Sequence, residues 1–316
     1  MFSVRGLALG RAMALMRIGR RLRGVHTVAV LVVVLVVPLA SLGSAGASPR
    51  EATGHQQRLH VRIEGAGDRR LLVLHGLGGA GGYFANRLGD MATDHTVLAP
   101  DLLGFGESPK PTDARYDLDE QVDYILFTLA ADLQGRKTIV VGHSFGAIIA
   151  LALVDRRPDL FSGAVLIALP VFSDRRGAEQ HARNLGAMAA GVLDGSSFWR
   201  ATCSFHDLYR IPGAGALWSV PQDVYLDGTH HIWESLSRTL DHLLDVDASS
   251  LAERSSVPLL FIHGTDDDVA PAKSAAVLAQ RVGAEITLWK GGHQVFLDDP
   301  ARVWQRVRVF ERRHGM

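Results

Sequence analysis

Thr138-Ile139-Val140-Val141-Gly142-His143-Ser144-Phe145-Gly146 is the stretch that decides how this chain folds. Its first four residues form a short apolar run rich in β-branched side chains, the pattern of a strand covered on both faces of a parallel sheet. The residues that follow, Ala147 to Asp155, are apolar at helical spacing. Between them stands G-x-S-x-G, and a buried strand turning abruptly into a helix is the context that lifts this motif above chance. Small residues two before and two after Ser144 are required because so tight a turn excludes larger side chains. The serine then sits at the tip in a strained backbone conformation, with its hydroxyl exposed.

A serine hydroxyl is a poor nucleophile until a base takes its proton, and that base must be held in the right tautomer by a third group. Downstream come an acid and then a histidine. His293 follows Gly291-Gly292 and the apolar run Glu285 to Trp289, which places it on a loop at a strand's C-terminal end. The run Leu259 to His263 ends in Gly264-Thr265-Asp266-Asp267-Asp268. Spacing favours Asp267 as the acid and leaves Asp266 and Asp268 as solvated loop or capping residues, with Asp174 as the alternative. Backbone N–H groups preset toward an oxyanion are each worth about 10²–10³ in rate. Phe145 N–H follows the nucleophile directly, and Leu77 N–H, in His75-Gly76-Leu77-Gly78-Gly79, supplies the second. His75 is expected to hold that loop through a backbone hydrogen bond, and His143 to pack or bond locally.

Further apolar runs lie at Gln57 to Ile63 (alternating, an edge strand), Leu71 to Leu74, Thr96 to Ala99, Gly163 to Leu169, Pro258 to Ile262 and Glu285 to Trp289. Helical patterns separate most of them: Tyr83 to Met91, Leu118 to Leu133, Ala147 to Asp155, Lys273 to Val282 and Ala301 to Arg313. Such alternation argues an α/β doubly wound sheet. It breaks once, across 170–250, which carries Phe172, Phe198, Trp199, Phe205, Trp218 and Trp233 but no convincing strand. An aromatic-rich helical insert at this place reads as a lid over the sheet's C-terminal edge, where ligands of such folds bind. The domain plan is therefore a leader over 1–47, a core over 48–169 and 251–316, and a lid over 170–250.

Formal charge is zero overall, but the first 24 residues hold six arginines and no acid. Taking those six from the 33 Lys and Arg leaves 27 bases against 33 acids, a mildly acidic remainder with no basic face for nucleic acid. From Arg23 to Arg50 no charged residue occurs, and the stretch ends in Ala45-Gly46-Ala47. A basic region, an apolar region and a small-residue site form a secretory signal, with cleavage expected after Ala47. The rival is an uncleaved membrane anchor, weakened by Pro38. Both place the catalytic domain outside the cytoplasm, either secreted or anchored in the membrane. The single Cys203 cannot form an internal disulfide, so stability rests on the core. His206, His230, His231 and His242 lack the spacing of a metal site.

The chain resembles the α/β-hydrolase family, in its lidded branch of esterases, lactonases, carbon–carbon-bond hydrolases and cofactor-free haloperoxidase-like members. The matching segments are His75 to Gly79, Pro100 to Ser108, Gly142 to Gly146, His263 to Pro271 and Gly292 to Leu297. The resemblance implies a mostly parallel eight-stranded sheet and a triad of Ser144, His293 and Asp267, the acid standing three after the glycine that ends its strand. Asp101, Gly104 and Gly106 would shape a turn near the site. Ala147 and Ala270 depart from the usual Gly and Val without touching the triad. A serine nucleophile speaks against the aspartate-dependent dehalogenases and epoxide hydrolases. The expected activity is hydrolysis of a carboxylic ester with an apolar part, needing no metal or organic cofactor. Lactone, carbon–carbon and peracid chemistry use the same framework, and a non-enzymatic ligand receptor on this fold is the separate class.

Overall fold

The computed structural model describes residues 57–203 and 220–316. The leader, with its signal or anchor reading, lies outside them, as do Phe205, His206 and Trp218. Among the described residues no helix is long and apolar enough to cross a membrane.

One sheet carries the fold: β1 (Val61–Glu64), β2 (Arg69–Leu74), β3 (His95–Pro100), β4 (Thr138–His143), β5 (Phe161–Ile167), β6 (Leu259–Gly264) and β7 (Glu285–Trp289). The spatial order is β1-β3-β2-β4-β5-β6-β7, with β1 antiparallel to β3 and every other pair parallel. Side chains alternate across the pleat and so feed two cores. Leu72, Leu74, Val140, Leu166 and Phe261 enter one, and Leu71, Val73, Ile139, Val141, Val165 and Ile262 the other.

Seven strands are present among the described residues where eight were expected. The segment 57–63 pairs only from Val61 onward. Just before it, the Leu59 N–H donates to Thr128 Oγ1 (3.0 Å) and the His60 N–H to Ser108 Oγ (2.9 Å), so these donors serve side chains and no further ladder. Two expected helices are also interrupted. The Tyr83 to Met91 pattern is two single turns, Gly82–Ala85 and Met91–Asp94, with Gly89 at φ +54° between them. The Leu118 to Leu133 pattern divides at Leu129, between Leu118–Thr128 and Ala130–Leu133.

The helix Phe145–Arg156 buries nine residues because it is wedged between the sheet and its helical cover. It stops before Arg157-Pro158, where proline disfavours helical geometry in the residue ahead of it. The last helix, Pro300–His314, has Asp299 accepting from the Arg302 N–H at its start and a left-handed Gly315 at its end.

Between β5 and β6 lies the insert, with helices Arg175–Asn184, Ala187–Leu193, Ser197–Cys203, Gln222–Gly228 and Trp233–Leu243. Helix Ala248–Arg254 already belongs to the main core, where Ala248 and Ala252 are buried. The insert meets loops at the C-terminal ends of the strands. His181 Nε2 donates to the Val269 carbonyl (3.0 Å), and His231 forms a β-bridge with Phe105. Arg87 pairs with Asp223 at 2.7 Å, and Arg62 with Asp227 at 3.4 Å.

Candidate active site

Ser144 caps β4 with φ 54° and ψ −116°, a left-handed conformation that costs an L-residue about 1–3 kcal/mol and survives only where its surroundings enforce it. They do. A Cβ on Gly142 would lie 2.1 Å from the Gly146 carbonyl oxygen, and one on Gly146 would lie 2.2 Å from that of Leu74. Neither glycine has a substitute. The Ser144 N–H donates to the Ile167 carbonyl (2.9 Å), pinning the elbow to the neighbouring strand.

The acid and base loops are joined by backbone. Thr265 N–H donates to Trp289 O (2.8 Å) and Asp266 N–H to Gly291 O (2.9 Å). Gly264 permits this approach, since a Cβ there would stand 2.3 Å from Gly291 O. His293 Nδ1 consequently meets Asp267 at 3.1 Å from Oδ1 and 3.0 Å from Oδ2. Asp267 Oδ1 also accepts from the N–H groups of Val269 (2.9 Å) and Ala270 (2.8 Å). Burial alone would raise the Asp267 pKa, but His293 and the Ala270 N–H outweigh it and hold the carboxyl below its ordinary value. With Nδ1–H committed to the carboxylate, a neutral His293 keeps its lone pair on Nε2. Asp266 and Asp268 are exposed. Asp174 caps the helix Arg175–Asn184 by accepting from the Gly177 N–H, an exposed bond remote from the acid's role.

The donor loop is anchored by His75, which is fully buried. Its Nδ1–H donates to Gly76 O (2.8 Å) and its Nε2 accepts from the Leu102 N–H (2.9 Å). That divided use requires a neutral ring, and burial lowers the His75 pKa accordingly. Gly76 lies against the elbow, a Cβ there falling 3.2 Å from that of Ser144. Among the described residues, neither the Leu77 nor the Phe145 N–H donates to a backbone carbonyl, and Phe145 opens its helix, where such donors lack intrahelical partners. Asp101 ties the next turn together: it accepts from the N–H groups of Gly81 (2.6 Å) and Glu107 (2.8 Å), with Gly106 at φ +53° against it.

Ser144 and His293 are brought into one neighbourhood through His143. Its Nε2–H donates to the His293 carbonyl (2.9 Å), and the two rings lie 4.9 Å apart. Among the described residues no hydrogen bond joins the Ser144 hydroxyl to the His293 ring, a contact often loose until substrate binds. His143 therefore packs, its ring stacked on Tyr83, but its hydrogen bond reaches across 150 positions of sequence and is not local. Tyr83, Gln294 and the fully buried His263 also belong here; Gln294 and His263 lie in the segments that match the family but were assigned no role, and no motif marks Tyr83. His230 pairs with Glu107 (2.9 Å) and His231 bonds Gly228 O (3.0 Å). Among the described residues no group of three or more His, Cys, Asp or Glu could hold a metal.

A doubly wound sheet with a left-handed serine after its central strand, and an Asp–His pair on the loops beyond, is the architecture of α/β hydrolases. The chain belongs to that family: the model described as the alpha/beta hydrolase fold matches residues 69–300. It is 27% identical over 286 residues to 2-hydroxymuconate semialdehyde hydrolase of Pseudomonas sp. (strain CF600), covering 83% of this chain and 93% of that protein. The solved esterase RhEst1 from Rhodococcus sp. ECU1013 matches at TM-score 0.63 and 24% identity, over 79% of this chain and 93% of its own. The enol-lactonase from Burkholderia xenovorans LB400 matches at TM-score 0.63 and 20% identity, over 80% and 95%. At these identities the two structures speak for the fold alone.

Proposed function

We propose that this protein is a serine hydrolase acting on an uncharged carboxylic ester. The Asp267–His293 pair, set beside the left-handed Ser144, is the observation that carries the reading. Ser144 Oγ attacks the carbonyl carbon while His293 Nε2 takes its proton. Asp267 steadies the imidazolium, and the Leu77 and Phe145 amides receive the oxyanion. His293 then protonates the leaving alkoxide. Water, deprotonated by the same ring, releases the acyl group as a carboxylic acid.

The insert acts as the lid and supplies an apolar wall. An uncharged substrate is favoured because four of the insert's arginines are engaged elsewhere. Arg175 binds Asp241 and Asp245, Arg183 binds Glu179 and Asp194, Arg200 binds Glu234, and Arg238 donates to the carbonyls of Thr112 and Ala114. A second reading, carbon–carbon bond hydrolysis on the same serine, is favoured by the near-complete alignment with the semialdehyde hydrolase. The leader adds a proposal of export, secreted or membrane-anchored. Turnover of p-nitrophenyl esters of graded chain length, beside lactones and vinylogous diketones, tests the choice. Ester turnover abolished in Ser144→Ala supports the first reading, and turnover confined to the diketones replaces it with the second.

A further inference from the structure

The proposed mechanism uses Ser144, His293 and Asp267 but gives no role to His143, Tyr83 and Gln294 beside them. His143 is the residue before the nucleophile and is almost wholly buried. Its ring stacks on Tyr83, with centroids 4.9 Å apart and planes 19° from parallel. The Tyr83 hydroxyl donates to Gln294 Oε1 (2.9 Å), the residue after the base. Thus a side chain on the elbow holds the backbone of residue 293, and a side chain beyond the donor loop holds residue 294. The nucleophile elbow, the base loop and the short helix after the donor loop are thereby joined through one stacked pair.

We propose that His143 is a positioning residue, its Nε2–H fixing the base loop to the nucleophile elbow while Tyr83 clamps its ring and grips Gln294. The proposal rests on the serine-hydrolase reading. It gives a reason for histidine at a position where the elbow itself asks only for a side chain that fits. A donor that became charged here would stand 4.9 Å from the His293 ring and oppose the imidazolium the reaction needs. Burial, reinforced by His293 itself, pushes the His143 pKa down to about 3. Tyr83, His293, Asp267 and His263 are the titratable groups facing it. Burial also pushes the Tyr83 phenol up, so it remains a donor. His143 Nδ1 is buried without a partner, so one ring edge does the bonding.

The test compares purified wild type with Ser144→Ala, His143→Phe, His143→Gln and Tyr83→Phe on a p-nitrophenyl ester, with circular dichroism to verify folding. His143→Phe keeps a stacking ring and loses the donor. It should lower kcat roughly 10- to 100-fold, the cost of a base displaced by a fraction of an ångström to an ångström. KM should stay within about two-fold. His143→Gln, which can present an N–H at similar reach, should recover most of the loss. Tyr83→Phe should fall between, and its effect should not multiply with that of His143→Phe. The pH profile of each active variant should keep the shape of the wild-type profile, as for a group that carries no proton. A folded His143→Phe with wild-type kcat, or a Gln variant as impaired as Phe, overturns the proposal. If His143→Phe does not fold, an unchanged kcat in Tyr83→Phe overturns it. If Ser144→Ala retains wild-type turnover, the serine reading falls and the proposal with it. If Ser144→Ala is inactive while His143→Phe is fully active, only the proposal falls.

Discussion

Replacing Asp267 with Asn removes one charge while leaving the volume of the site unchanged, so its consequences can be followed atom by atom. Asp267 Oδ1 accepts from the Val269 and Ala270 N–H groups, and both oxygens lie 3.0–3.1 Å from His293 Nδ1. The asparagine oxygen can keep the two backbone bonds. Its NH₂ then faces Nδ1–H, donor against donor. The ring relieves this by carrying its proton on Nε2, which leaves nothing to accept the Ser144 proton. Turnover at neutral pH is expected to fall on the order of 10⁴-fold, the scale seen when a triad acid is made an amide. That corresponds to about 5 kcal/mol of transition-state stabilisation. Stability should fall far less. The Asp267 carboxyl is held below its ordinary pKa. Its contribution is therefore present above the unfolded value of about 3.9 and is lost as pH falls through the folded value. A charge-assisted hydrogen bond contributes roughly 1.5–3 kcal/mol, so Tm at pH 7 should drop by a few degrees and the gap should close below about pH 4. Steady-state ester turnover and thermal melts across pH measure both. Asp268→Asn, at an exposed position, is the control and should stay within about two-fold of wild type. Retention of a tenth of the activity in Asp267→Asn, or an equal loss in Asp268→Asn, would refute the reasoning.

Three further outcomes follow from other parts of the structure. Gly146→Ala places a Cβ 2.2 Å from Leu74 O and 2.6 Å from His75 O, backbone atoms that cannot swing aside. Denaturant titration should show a loss of at least about 2 kcal/mol, with the donor loop displaced and turnover reduced. Glu311→Ala strips the buried His95 of its 2.7 Å partner and should cost about 3 kcal/mol by urea unfolding, with kcat intact. Burial alone would lower the His95 pKa, but Glu311 and Asp94 more than reverse that and raise it. The stability this supplies is complete below the unfolded value of about 6.5 and fades as pH rises through the folded value. Wild type should accordingly lose stability on alkalinisation more steeply than Glu311→Ala. A slope unchanged by the substitution would remove His95 from the account.

Much of this was legible in the chain because local chemistry is decisive there. The elbow could be read from Gly142 and Gly146, since only glycine survives within 2.2 Å of a neighbouring carbonyl oxygen. β4 and its helix could be read from apolar runs that no exposed segment would carry. The choice of Asp267 among three acids followed from spacing, and the structure places that carboxylate alone of the three on His293. The misreadings come from one local break and from partners distant in sequence. Gly89 broke a helical pattern that periodicity had extended from Tyr83 to Met91. The edge strand begins at Val61 and not Gln57 because hydroxyls of Ser108 and Thr128, 48 and 69 positions away, capture the N–H groups of His60 and Leu59. The eighth strand was implied by the family resemblance alone, the apolar runs numbering seven. The bond between Tyr83 and Gln294 escaped notice because it spans 211 positions, although Gln294 lies in a segment that matches the family.

The central claim is that Ser144 is a nucleophile activated by His293. A fluorophosphonate probe, applied to the folded protein and followed by peptide mapping, addresses it most directly, because only an activated hydroxyl reacts rapidly. The account predicts a single adduct on Ser144, strongly slowed in His293→Ala and Asp267→Asn but not in Asp268→Asn. An unlabelled wild-type protein, or an adduct formed at the same rate without the imidazole of residue 293, would contradict it.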